Sequence, residues 1–192
     1  MPLSLLDEPI IVVTQLGKLM SMRAEYELYR PDGTAIGSVT ETSSAAGMFA
    51  RKLATLEFVV ADTSGQTVAT IEKPGAFGRS TFLVTDAAGT QVGEIEQDNI
   101  MFAPQFTIST TEGGLRMTST AAMAWDWDLV DDGGVSVGSV RREFTGLADV
   151  FTSEERFVVQ LSKDLVGPRR LAAFASTICL DFVRDEKQRQ RR

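Results

Sequence analysis

Asp126 and Asp128 flank Trp127 at the spacing that puts two side chains on one face of a strand, and Asp131 and Asp132 follow at a turn. Paired carboxylates can share a proton or hold a metal ion. No nucleophile motif accompanies them, and Gly75 and Gly78 lack the Lys and Ser/Thr that complete a phosphate loop. The simpler reading is the polar outer face of a half-buried strand and its turn. The chain has no histidine, which removes Ser-His-Asp and Cys-His catalysis, histidine-ligated zinc and an imidazole pH switch. Its one cysteine, Cys179, has no partner for an intramolecular disulfide and sits in an apolar stretch, where a thiol behaves as a small hydrophobe. Neither enzymatic activity nor a resident cofactor is expected. Cysteine usage fits a cytoplasmic protein.

The basic residues offer a different chemistry. Arg184, Lys187, Arg189, Arg191 and Arg192 stand against only Asp185 and Glu186 in residues 184–192, on a chain whose formal charge is -7. Such polarisation suits contact with anionic lipid head groups, each basic residue near the surface being worth about 1 kcal/mol, and equally suits a disordered, solubilising end. For nucleic acid the body has the wrong sign.

What must position these groups is legible as a repeat. A pattern recurs four times: aromatic, x, aliphatic, x, turn position, x, x, Gly, x, x, Val or Ile, small, x, Val or Ile. The copies start at Tyr26, Phe58, Phe82 and Trp127; their turn positions are Arg30, Asp62, Asp86 and Asp131, and their small residues are Gly37, Ala69, Gly93 and Gly138. Alternating apolar residues around an Asp/Gly loop read as a β-hairpin. A small residue inside a strand implies close approach of another backbone or helix. One Asp per copy is turn chemistry and falls short of a calcium cage. Further strands are expected at Ile10 to Thr14, Phe106 to Thr110, Leu115 to Thr120 and Phe157 to Leu161, with loops at Ser43 to Met48 and Pro74 to Gly78. The composition, 43% hydrophobic and 23% charged over 192 residues, is that of one globular domain.

One segment departs from this pattern. After Pro168, Leu171 to Val183 contains no Gly or Pro and is apolar nearly all round. Such a helix must be enclosed, and at about 1.5 Å per residue the stretch is too short for a hydrocarbon core of about 30 Å. We expect a helix wrapped by the sheet. The amino terminus has no signal-peptide pattern, since Asp7 and Glu8 precede only four apolar residues, Ile10 to Val13.

A mainly β, single closed antiparallel barrel of about twelve strands enclosing one hydrophobic C-terminal α-helix is the tubby-like architecture. The motifs resemble its phospholipid scramblase and LURP-one-related branch. "PIIVVTQ" at Pro9 to Gln15 and "YELYRPDG" at Tyr26 to Gly33 are similar to the opening strand and hairpin of those families. Phe157, Gln160, Asp164 and Leu165, followed by "LAAFASTICLDF" from Leu171 to Phe182, resemble the closing segment. The likeness covers most of residues 9–187, giving one domain over 1–187 and a basic, disordered tail at 188–192. It implies a calcium segment at Ser153, Glu155 and Asp164, although Ser153 and Glu155 replace the family's leading aspartates. Three donors make a poor site for a cation that takes six to eight oxygens. The palmitoylation cluster and proline-rich arm of the animal scramblases are absent.

The resemblance further implies a non-enzymatic protein, cytoplasmic and peripheral at the membrane, that associates with an anionic phospholipid or phosphoinositide. Lys163, Arg169, Arg170, Arg184, Lys187 and Arg189 are its lipid-binding candidates. Two alternatives remain: a phospholipid scramblase proper, or a cytosolic scaffold for an unidentified protein partner. A small-ligand barrel conflicts with a core filled by the helix.

Overall fold

In a computed structural model of the chain, residues 5–16, 23–42, 53–76, 78–99, 103–119, 126–143 and 156–189 are described. The four repeat copies form hairpins: β2 (Glu25–Tyr29) with β3 (Ala35–Glu41), β4 (Leu56–Asp62) with β5 (Thr67–Lys73), β6 (Thr81–Asp86) with β7 (Gln91–Gln97), and β10 (Asp126–Asp131) with β11 (Ser136–Glu143). β1 (Ile10–Gln15), β8 (Phe106–Thr110), β9 (Leu115–Ser119) and β12 (Arg156–Leu161) complete the sheet. Each strand pairs antiparallel with its sequence neighbours, and β1 pairs with β12 to close a twelve-stranded barrel. A 3-10 turn, Leu5–Asp7, precedes β1, and one helix, α1 (Gly167–Arg189), follows β12. The expected loop Ser43 to Met48 lies outside the described residues.

Local chemistry builds the hairpins alike. Asp62, Asp86 and Asp131 each accept two backbone N–H groups of their own turn through Oδ1, at 2.8 to 3.0 Å. The glycine three residues on takes a positive φ of 78 to 84° in all four copies, Gly33, Gly65, Gly89 and Gly134. Each hairpin also shifts register at the same repeat position: after Leu28, Val60, Val84 and Leu129. A bulge repeated in this way bends the sheet in one sense, as closure requires. Hydrogen bonds from Ser64 and the turn amides hold the Asp62 carboxyl below the usual carboxylate range. Where Arg30 stands in place of Asp, Asp32 accepts the Thr34 N–H instead, at 2.9 Å. Arg30 turns to Glu8, Nη2 to Oε1 at 2.6 Å, and ties the amino-terminal segment to the first hairpin.

Inward residues alternate along every strand, and Ile11, Leu28, Phe58, Phe82, Phe106, Trp127 and Phe157 are fully buried around α1. The helix is buried on all sides from Arg170 to Val183, as an all-round apolar helix must be. It extends beyond the apolar stretch to Arg189, so Gln188 and Arg189, expected in a disordered tail, are helical. Arg184, Glu186, Lys187 and Gln188 are good helix formers, and basic side chains suit a helix C-terminus. Gly93 lies under the helix, where an added Cβ would come within 3.2 Å of Ala172 Cβ. At Gly37 the neighbour is a strand: an added Cβ would run into the Ala61 carbonyl oxygen and Leu5 Cδ1. Since backbone cannot retreat without breaking the β3–β4 ladder, Gly37→Ala is expected to destabilise by about 1–3 kcal/mol. Urea unfolding checks this, and an unchanged midpoint would show that the strands can part without cost.

Candidate functional site

All five hairpin turns, the entry to β1 and the start of α1 lie at one end of the barrel; α1 runs through it and leaves at the other. The first end, here the turn end, exposes Asp32, Glu112, Asp132 and Asp164. The second, the mouth, receives the last inward residue of each odd-numbered strand. These residues are Gln15 on β1, Glu41 on β3, Lys73 on β5, Gln97 on β7, Ser119 on β9 and Arg142 on β11. Together they make a polar collar around the emerging helix.

Gln15, Glu41, Lys73 and Gln97 are buried despite their polarity, so each needs partners. The Ala24 N–H donates to Glu41 Oε2 at 2.9 Å. Gln97 Nε2 donates to the Asn99 carbonyl, and the Ser80 N–H to Gln97 Oε1. Lys73 Nζ lies 5.7 Å from the centroid of the Phe182 ring, which also packs edge-on against Phe58 and Phe82. On the helix, buried Asp181 accepts a 2.8 Å hydrogen bond from the Tyr26 hydroxyl. One turn later the Arg184 guanidinium lies 5.5 Å from the Trp127 ring centroid and 5.9 Å from that of Phe157. The collar thus grips α1 where its apolar face ends. The repeat already held this signal: a polar residue stands two positions beyond the final Val or Ile of every copy, at Glu41, Lys73, Gln97 and Arg142. Strand alternation makes that position inward; reading the copies only as far as their apolar residues missed it.

The six lipid-binding candidates divide between the two ends. Arg184, Lys187 and Arg189 follow the collar at the mouth, whereas Lys163, Arg169 and Arg170 lie at the turn end. From Arg170 to Lys187 the helix rises about 25 Å, so the two groups do not form one patch. Lys163 is exposed and Arg169 half-buried. Arg170 is only 6% exposed. Its Nε donates to the Leu6 carbonyl, Nη1 to those of Ser162 and Leu165 at 2.8 and 2.9 Å, and Nη2 to that of Glu8 at 2.7 Å. This guanidinium faces four carbonyls of its own chain and offers its fork to no head group. It locks α1 to the amino-terminal segment, and burial pushes its pKa down.

Ser153 and Glu155 lie outside the described residues. Arg156, next to Glu155 in sequence, opens β12, and Asp164 follows the far end of that strand. Of the calcium segment that the resemblance implies, only Asp164 lies among the described residues, and it is exposed. Among the described residues no group of three or more His, Cys, Asp or Glu is placed to hold a metal ion. Asp126 and Asp128 lie on the outer face of β10, opposite Arg141 and Ser139 of β11. Asp131 is spent on its turn, and Asp132 Oδ2 accepts the Gly114 N–H at 2.8 Å.

A family model described as Scramblase matches residues 24–187. The chain belongs to the Scramblase family. The match starts after β1, yet β1 closes the barrel by pairing with both β2 and β12. No curated protein matches the chain. Among the described residues of this scramblase-family protein, no helix is long and apolar enough to cross a membrane. Cys179 is 1% exposed, and burial pushes its thiol well above the usual range.

Two outcomes follow. Arg170→Met is expected to cost about 3 kcal/mol or more by stranding buried carbonyls, with Arg170→Lys recovering only part because an ammonium cannot span the fork; denaturant titration measures both. Cys179 should react with a thiol reagent only after unfolding, and fast labelling of the native protein would mean that the helix leaves the barrel.

Proposed function

We propose that this scramblase-family protein is a non-enzymatic module that docks peripherally on anionic phospholipid through the mouth of its barrel. The observation that carries the reading is the path of α1: its apolar length ends inside the collar at Val183, and the helix runs on to Arg189 with three basic residues, Arg184, Lys187 and Arg189, against the two acidic ones, Asp185 and Glu186. The acidic turn end then faces away from the negatively charged surface, the orientation that electrostatics favours. Within this reading Lys163, Arg169 and Arg170 drop out of the lipid contact. The likeness to LURP-one-related and tubby-like proteins fits a peripheral role.

Scrambling by an inserted α1 is the less favoured reading. Leu171, Phe174, Ile178, Leu180, Phe182 and Val183 are all buried in the barrel. At roughly 1.5–3 kcal/mol each, withdrawing them forfeits on the order of 10 kcal/mol, the scale of a whole domain's stability. A protein-scaffold role has a weaker support in the exposed Val135 and Val166 at the turn end.

Co-sedimentation with anionic and neutral liposomes tests the proposal. Replacing Lys187, Arg189, Arg191 and Arg192 by Gln should weaken binding to anionic liposomes roughly 100-fold or more at low salt. The same change at Lys163 and Arg169 should leave it intact. Equal loss from both variants would remove the mouth as the docking end, and no binding at all would favour the protein scaffold.

A further inference from the structure

The barrel wall carries a groove that the mouth does not use. It runs along the outer face of β1, between β2 on one side and β12 and β11 on the other, and encloses about 560 Å³. Its floor is apolar for an exterior surface: Ile10, Val12, Leu16, Tyr29 and Val158. Each of these residues is half-buried, and none of the described elements crosses over them. From Ile10 to Leu16 the floor is about 20 Å long, a straight apolar track suited to an extended chain.

One row of polar residues crosses the track near the mouth. Ladder register places Glu27, Thr14, Arg156 and Glu143 side by side on β2, β1, β12 and β11. Thr14 is 5% exposed and lines the groove. Among the described residues its hydroxyl has no hydrogen-bond partner, and neither does the buried Nε of Arg156. Buried polar atoms left without partners are rare, and each calls for a reason. Here a hydroxyl donor and a guanidinium donor sit on adjacent strands, about 5 Å apart across the ladder, and both lack an acceptor among the described residues. A carboxylate flanks them on each side, so the row alternates anion, donor pair, anion.

We propose that this groove holds one zwitterionic phospholipid, its phosphate on Thr14 and Arg156, its ammonium against Glu143 or Glu27, and one acyl chain laid along β1. A simple anion fits less well, because both carboxylates would oppose it, and a lone hydrocarbon would leave the donors unanswered. The phosphate-to-ammonium spacing of such a head group matches one step across the ladder. The proposal deepens the membrane reading above and rests on it in assigning a lipid as the occupant. It adds a second contact of different chemistry: the mouth reads the charge of a surface, the groove takes a single molecule from it.

The test uses the full chain and a monoacyl phosphocholine below its micelle concentration, followed by methyl NMR and calorimetry. Shifts should concentrate on the methyl groups of Ile10, Val12, Leu16 and Val158. Arg156→Gln should weaken binding roughly tenfold or more, the range for losing a charged hydrogen bond. Thr14→Val should weaken it several-fold, and Val12→Asp, an outer-face change that leaves the core intact, should abolish it. A monoacyl phosphoglycerol, which has no ammonium, should bind several-fold more weakly. Binding that ignores Arg156→Gln, or shifts spread over the rest of the barrel, would overturn the proposal. Absence of monoacyl phosphocholine binding with anionic-liposome binding intact would sink the groove alone. Groove binding that survives loss of the mouth's basic residues would uphold it even if the docking end were wrong.

Discussion

A barrel of twelve strands is too wide to be filled by its own side chains. Eight strands already bring inward residues into contact across the axis, and each further strand widens the interior. An empty channel of that width lined by Phe, Leu and Val would be untenable in water. The sequence therefore has to supply a second layer, and α1 is that layer. Its composition follows from the role: every face from Arg170 to Val183 is buried, so no face is free to be polar. The narrow residues Ala172, Ala173 and Ala175 let the backbone approach the wall, and Gly93 answers from the sheet side.

Polarity enters at the two ends of the helix, and there it is used as fastening. At the turn end Arg170 joins α1 to the carbonyls of Leu6 and Glu8, while Glu8 itself holds Arg30. The single departure of the repeat from Asp at its turn position thus belongs to the same fastening. At the mouth Tyr26 holds Asp181, and Trp127 and Phe157 flank Arg184. Trp127 is itself fixed, its indole N–H donating to the Pro104 carbonyl at 3.0 Å. Long-range polar contacts of this kind set the depth and rotation of a helix that apolar packing alone would let slide.

The hairpins were legible because their signals are local. Asp62, Asp86 and Asp131 act within four residues of themselves, and positive φ at Gly33, Gly65, Gly89 and Gly134 is a property of one position. The enclosed helix was legible from its even apolarity. What could not be read was which partner a polar residue meets across the fold. Arg170 was drawn into a lipid-binding set with Lys163 and Arg169 because the three are near in sequence, but helical rotation turns Arg170 inward and leaves its neighbour half-buried. The set also merged residues about 25 Å apart along α1, since a list of basic residues has no axis. The outer row from Glu27 to Glu143 draws on four strands and exists only once register is known.

The filling comes last in chain order. Twelve strands precede α1, and the closing pair joins β1 to β12, nearly the whole described length apart. During synthesis the strands emerge with no core to wrap, their inward aromatic residues open to water and to one another. Hairpins can form as they appear, since their contacts are local, but the barrel has nothing to close upon until residues near 183 are made. Folding of this architecture is thus delayed until α1 has been made, with high contact order and a long exposure of sticky strands. A nascent chain of this kind is a natural client for chaperones that shield β-rich intermediates, and its yield in a cell should depend on that shelter more than on the stability of the finished barrel.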